Sequence, residues 1–397
     1  MERRQFIRAA SAMAGSLALG GCATAATKPT PLSNPQQSPL SVKVPPLPMI
    51  DARVDRIVAM NVCTRPFRAM GPRIEAEKMA AKTVVHNYGH GGSGWSLSWG
   101  SAAAATDLAL NAGAKQVAVI GCGAIGLTTA IEAQRRGLDV SIYAKERPPY
   151  VRSAYATGIW SPDSRIVSLQ HAEPFAARWK TMAQTSYRRF QTLLGLEGAP
   201  VEWTQIYNLS DVPFGSSVHH EPAGEPDYPN FSRDLLPGLT PQPVAIPNKV
   251  NPFAAAHVKR HPLLMFNIGE YSELLLNRFH QNGGRIINAD FASSSEFAAL
   301  DESTVINCTG YGARALLNDD SITPVRGQTC KLIPQPEINY GIWFWDKQVS
   351  VYPRRDGLLV QAQADGDFGN PNAVVDPQES EAAVRRLADI IAEMKTV

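Results

Sequence analysis

Gln116–Glu146 reads QVAVIGCGAIGLTTAIEAQRRGLDVSIYAKE, and the order of its parts decides the fold class. Gln116 to Ile120 is a short β-branched run, entered from a Gly-containing turn at Asn111 to Lys115. It passes straight into Gly121-Cys122-Gly123-Ala124-Ile125-Gly126, and LTTAIEAQRRGL follows with apolar residues at helical spacing. After Gly137 a second strand, Asp139 to Ala144, leads to Glu146, 20 residues beyond Gly126. Strand, glycine turn, helix, strand and acid is the order of a dinucleotide-binding βαβ unit. Each part has a reason. Gly121 allows the tight turn, Gly123 lets the backbone approach a pyrophosphate, and Gly126 lets helix and strand pack closely. The helix N-terminus offers N–H groups to the negative charge, and Glu146 is placed to accept from a ribose hydroxyl. The pattern alone does not separate FAD from NAD.

Further along, Ser303 to Gly310 (STVINCTG) is another β-branched run, and Ile268 to Gly283 reads as an amphipathic helix before the strand Arg285 to Ile287. These pieces extend a doubly wound α/β sheet with helices on its faces. A chain of 397 residues, 44% hydrophobic and 19% charged, suits one or two globular domains and excludes a fibrous repeat or wholesale disorder. A net charge of +2 with no run of five or six like charges gives no basis for a nucleic-acid surface. No Ser-His-Asp, P-loop or paired-carboxylate arrangement is present. His86 and His90 lack acidic or thiol partners at ligand spacing, so no metal is expected. Cys63, Cys122, Cys308 and Cys330 lack CxxC spacing, and no disulfide is expected.

The N-terminus is an address. Met1 to Cys22 (MERRQFIRAASAMAGSLALGGC) has a basic start and an Ala/Gly-rich stretch too short to span a bilayer stably. Arg3-Arg4 with Phe6-Ile7 resembles the twin-arginine export signal, and Leu19 to Cys22 resembles a lipobox, with acylation at Cys22. Residues 1–22 are thus read as the signal of an exported, membrane-anchored lipoprotein on the periplasmic side. Residues 23–48, rich in Pro, Ser and Thr, are read as an extended linker with nothing to build a core. Arg3, Arg4, Arg8 and Glu2 account for the whole charge excess, so the body after Gly21 is neutral.

Five further segments resemble the D-amino acid oxidase family, flavoproteins with a glutathione-reductase-like fold. Val84 to Ala102, VVHNYGHGGSGWSLSWGSA, is the most specific. The others are IYAKE followed by SAYATGIWSP (Ile142 to Pro162), VINCTGYGARAL with Arg326-Gly327-Gln328 downstream, Tyr352-Pro353 before Asp356-Gly357, and Thr64-Arg65-Pro66-Phe67-Arg68 running on to Arg73-Ile74-Glu75. In the family the glycine turn lies near the start and the Arg-Pro and HNYGHGG segments close the chain. Here those segments come first, which is the order of a circular permutation. It places the C-terminus near residues 50–56.

The resemblance implies a Rossmann-type FAD domain (72–170 and 263–328) interleaved with an α+β substrate domain whose sheet is mostly antiparallel (49–71, 171–262 and 329–397). It implies oxidative deamination of D-amino acids, with a hydride passing from Cα to FAD, the imino acid released, and O₂ giving H₂O₂. A dehydrogenase passing electrons to a quinone and a flavin-retaining binding protein without turnover are the alternatives. Arg65 matches the family's carboxylate-binding arginine, the Gly92 carbonyl would take the substrate amine, and Tyr352 stands two residues beyond Ser350, where the family carries tyrosine. The residues expected to hold FAD are Gly121, Gly123, Ala124, Ile125, Gly126, Lys145, Glu146, Ser153, Gly158 and Ile159, with Gly91, Ser93, Gly94, Trp95 and Ser96 near the ring. Trp343, Phe344 and Trp345 are read either as an aromatic lid or as core.

Overall fold

The aliphatic runs of the chain become the strands of two sheets in a computed structural model, which describes residues 44–216, 224–362 and 366–395. The leader, Cys22 and most of the proline-rich linker lie outside the described residues.

The first sheet has the order β2 (Arg73–Met79), β3 (Lys82–Tyr88), β10 (Thr304–Asn307), β4 (Gln116–Ile120), β5 (Asp139–Ala144) and β9 (Arg285–Asn288). All neighbours run parallel except the β2–β3 hairpin at one edge. Alternation sorts its side chains between the two faces. Val117, Val119, Val140 and Ile142 pack under α1 (Gly94–Asn111), α2 (Ala124–Arg135), α3 (Ala172–Gln191) and α5 (Ile268–Gln281). Ala118, Ile120 and Val305 face the other way, onto Phe297 and onto Leu316 of the short α6 (Ala313–Leu316). A sheet buried on both faces reads as continuous hydrophobic runs, as QVAVI does.

The second sheet has the order β1 (Ile57–Arg68), β11 (Ile322–Leu332), β14 (Gly357–Ala362), β13 (Val349–Arg354), β12 (Tyr340–Phe344), β6 (Val201–Ser210), β8 (His257–Phe266) and β7 (Val244–Ala245). It is antiparallel except where β12 meets β6. α7 (Pro377–Ala392) covers one face, capped by Asp376, whose carboxylate accepts from Gln378 N at 2.9 Å. Its Val384, Leu387 and Ile391 sit in one core with Leu332, Val351 and Val360, each fully buried side chain contributing about 1.5–3 kcal/mol. Ile50 and Ala52 belong to the same core, so the C-terminal helix and residues 50–57 share packing.

Three expectations change. The divisions at 262/263 and 328/329 fall inside β8 and β11, both strands of the second sheet. α3 lies within the span assigned to the substrate domain, yet Phe175, Trp179 and Phe190 pack into the first sheet's core, with Trp179 also against Phe231 of α4 (Phe231–Leu235) at 5.0 Å between ring centroids. The end of the linker is not extended away from the body. Val44 and Leu47 pack on the second core, and the Tyr340 hydroxyl donates to the Pro48 carbonyl at 2.8 Å. Two apolar side chains among the prolines are enough to dock it.

Candidate active site

The glycine turn is built as its residues dictate. Gly121 has φ +106°, and a Cβ there would stand 2.7 Å from the Cys308 carbonyl oxygen, because Cys308 N donates to Ile120 O at 2.9 Å and draws β10 across the turn. Gly126 abuts the Gly121 carbonyl, while a Cβ at Gly123 would meet only the Ser153 hydroxyl at 3.2 Å. Above the turn opens a cavity of about 590 Å³, a size usual for cofactor sites. Gly121, Gly123, Ala124, Ile125, Lys145, Glu146 and Ser153 line it. The Ser153 hydroxyl accepts from Ala124 N at 3.0 Å, and Trp95 Nε1 donates to the Ser153 carbonyl at 2.8 Å. Lys145 pairs with Asp290 at 3.0 Å on the rim. The close backbone approach at Gly123 and the helix N-terminus behind it fit a pyrophosphate.

The same cavity reaches Arg65, Gly91, Gly92, Gly94 and Trp95, bringing together segments far apart in the chain. Arg65 is half-buried on β1, and its Nη1 donates to the Arg326 carbonyl at 2.9 Å. A Cβ on Gly327 would stand 2.5–2.6 Å from the guanidinium atoms, so only glycine there lets the group lie flat on β11. Burial, and secondarily Arg165, lower the Arg65 pKa, but an arginine stays charged. Arg165 itself is neutralised by Glu225 at 2.8 Å. Arg65 has no ion pair among the described residues. An unneutralised guanidinium in a partly buried cavity is a receptor for a carboxylate, which it binds bidentately.

The Gly91–Gly92 segment is pinned by its own N–H groups. Gly91 N donates to Pro66 O at 2.9 Å and Gly92 N to Ser164 O at 3.0 Å, while among the described residues no donor reaches the Gly92 carbonyl. Ser93, Ser96, Gly158 and Ile159 stand behind the wall rather than on it. The Ser93 hydroxyl donates to the carbonyls of Ser161 and Ser164, the Ser96 hydroxyl accepts from Ser161 N, Gly158 O accepts from Phe266 N, and Ile159 bridges to Met265.

Tyr352 is buried in the second sheet and does not line this cavity. Burial pushes its hydroxyl up to about 12, with the Arg65 charge opposing the rise. Ser350 sits beside Gln361, which pairs with the cavity residue Thr329. Across the strands Ser350 pairs with Trp343, and Trp343 with Asn208. Ser350 Oγ, Trp343 Nε1 and Asn208 Oδ1 are all buried and without hydrogen-bond partners. The aromatic trio splits by alternation: Phe344 is core, and Trp343 stacks on Trp345 at 4.2 Å.

Sequence reading missed a buried polar chain that runs inward from His90 on the cavity wall. His90 Nε2 lies 2.7 Å from the Ser101 hydroxyl, which donates to Asn87 Oδ1, whose Nδ2 donates to Thr129 Oγ1 at 3.0 Å. Since Ser101 gives its proton to Asn87, His90 donates through Nε2. Burial lowers the His90 pKa to about 3 and keeps it neutral. The signal was Asn87, His90 and Ser101 among apolar neighbours. Arg152, which lines the cavity and donates to Thr64 Oγ1 at 2.8 Å, was also missed. The described residues contain no cluster of three metal-ligating side chains.

Comparison with known proteins identifies the family. Residues 116–397 match the family model described as DAO, FAD dependent oxidoreductase. A D-amino-acid oxidase of Streptomyces coelicolor is 28% identical over 295 residues, covering 70% of this chain and 78% of its own. One of Dictyostelium discoideum is 28% identical over 215 residues, covering 53% of this chain; the match spans about half of that relative, 55%. Among solved structures, glycine oxidase from Geobacillus kaustophilus superposes with a TM-score of 0.49 at 14% identity, covering 71% of this chain and 81% of that one.

Proposed function

Because the chain belongs to the DAO family of FAD-dependent oxidoreductases, we propose that it oxidises D-amino acids to imino acids, which hydrolyse in water to oxo acids and ammonia. The observation that carries the reading is Arg65, a guanidinium without a counter-ion in the cavity that also holds the glycine turn. FAD, when bound, would supply the acceptor for the hydride leaving Cα, with O₂ as the terminal oxidant. Gly121, Gly123, Ala124, Ile125 and Ser153 would hold its pyrophosphate, Glu146 its ribose, and Gly91, Gly92, Gly94 and Trp95 its ring. The protein's own work is positioning. Arg65 receives the carboxylate, the Gly92 carbonyl accepts from the amine, and the apolar wall around Trp95 keeps water out. With two ends of the substrate held, Cα has one orientation.

The test is a screen of D-amino acids under nitrogen for loss of the oxidised-flavin absorbance, followed by a peroxide assay in air. Bleaching with peroxide supports the oxidase. Bleaching without peroxide moves the reading to a dehydrogenase feeding a quinone, and no bleaching with any substrate overturns turnover altogether.

The same reading orders the chain as a circular permutation and places it outside the cytoplasm on a lipid at Cys22. Supporting the first, the family match begins at β4, and α7 shares a core with Ile50 and Ala52. Supporting the second are the Arg3-Arg4 pair and the Leu19 to Cys22 segment. Metabolic labelling with palmitate, lost in Cys22→Ser, checks it.

A further inference from the structure

Away from the active site, where α1, α2 and α3 meet, lies a second cavity of about 360 Å³. Arg135, Arg136, Arg188 and Arg189 wall it, with Trp99 as part of its floor. Arginines near helix C-termini have an ordinary reason, attraction to the C-terminal partial charge. That accounts for two per helix, Arg135 and Arg136 on α2 and Arg188 and Arg189 on α3, but not for both helix ends opening onto one concavity.

The charge count is the second observation. Glu132 takes Arg135 at 2.6 Å and lies 3.9 Å from Arg136, and Asp107 takes Arg136 at 2.7 Å. Arg188 and Arg189 make no ion pair among the described residues; Arg278 of α5 and Arg135 act on Arg189 with like charge, and Glu132, which also lines the cavity, acts on it with opposite charge. The third observation is an orphan. The Arg189 guanidinium lies over the Trp99 ring at 4.7 Å from its centroid, and its Nε–H is buried with no hydrogen-bond partner. Trp99 is itself held, Nε1 donating to the Tyr271 hydroxyl at 2.7 Å. A buried donor without an acceptor is destabilising, and an anion in the cavity supplies the acceptor.

We propose that this cavity is an anion site that takes a phosphate group on Arg188 and Arg189, with Nη1 of Arg135, whose Nε and Nη2 are held by Glu132, at its edge. Forked guanidinium donors arriving from two helices suit a tetrahedral oxyanion better than a planar carboxylate, whose two oxygens engage one or two arginines. The volume exceeds a bare phosphate and leaves room for an ester substituent. The phosphate is therefore either free, as a small soluble phosphate ester or the inorganic ion, or the headgroup of an anionic lipid.

The experiment uses the flavin-loaded full chain, so that the glycine turn is occupied. Inorganic phosphate is titrated calorimetrically in chloride buffer, and co-sedimentation is measured with phosphatidylglycerol and with phosphatidylcholine vesicles. Saturable phosphate binding is expected, weakened about tenfold or more in Arg189→Gln, with flavin content and turnover unchanged. Arg188→Gln, a change on an exposed side chain, should weaken it several-fold and guards against misfolding of the first variant. Phosphate binding without a preference for phosphatidylglycerol assigns a soluble ligand. An added phosphatidylglycerol preference that both variants reduce assigns a lipid headgroup. No saturable phosphate binding, or binding that neither variant weakens, overturns the proposal.

Discussion

Arg65 and Arg326 leave neighbouring strands in opposite electrostatic states. Arg326 is buried and saturated: it donates to Glu379 at 2.8 Å and to Gln328 Oε1 at 2.7 Å, and lies 3.6 Å from Asp367. Arg65 points to the other face of the sheet, into the cavity, where it donates to one main-chain carbonyl and feels Asp367 and Glu225 only at a distance, without an ion pair. Both are guanidinia on the same β1–β11 ladder. What separates them is whether the fold brings a carboxylate to the charge. An arginine whose charge the protein has answered holds structure, and one left unanswered waits for a ligand.

The comparison breaks most visibly through stability. Arg326→Met should lower the unfolding free energy by about 3–5 kcal/mol, since Glu379 and Asp367 lose their cation. Chemical denaturation reads it, and a loss under 1 kcal/mol would make Arg326 as idle as a surface arginine. Arg65→Ala should do the reverse, sparing stability while kcat/KM for a D-amino acid falls by about 10²–10³-fold, as removal of two charge-assisted hydrogen bonds implies. Equal losses of stability and activity in both variants would erase the distinction. Gly327→Ala sharpens it: the added methyl displaces the Arg65 guanidinium, and about a tenfold loss in kcat/KM is expected, read by steady-state kinetics.

Acid separates the two regions again. The His90 pKa is lowered from 6.5 to about 3 and the His261 pKa to about 4, both by burial. The unfolded chain therefore binds protons that the folded one refuses. Stability should be full above pH 6.5 and fall by up to about 1.4 kcal/mol per pH unit for each histidine toward the folded pKa. Melting temperatures between pH 7 and pH 4 read this, and His90→Gln should flatten the slope. The Arg65 charge does not titrate over that range, so substrate affinity should hold where stability declines.

Local signals carried much of the fold. QVAVI, the glycine turn, the helix after it and the Asp139–Ala144 strand stand where their spacing put them, because strand alternation, positive φ at glycine and helical periodicity act over a few residues. α3 was misassigned because an amphipathic helix shows that it has an apolar face without showing which sheet receives it. The polar chain from His90 to Thr129 was missed because its members come from three elements and meet only after packing.

The sequence by itself therefore determined the dinucleotide unit, the family resemblance and the choice of Arg65, all of which rest on residue types at short spacing. Only the tertiary structure decided that Arg65 lies flat over Gly327 without a counter-ion while Arg326 is neutralised, and that arginines of α2 and α3 converge beside Trp99. Whether a charge is answered depends on which distant segments arrive beside it, and spacing along the chain carries no record of that.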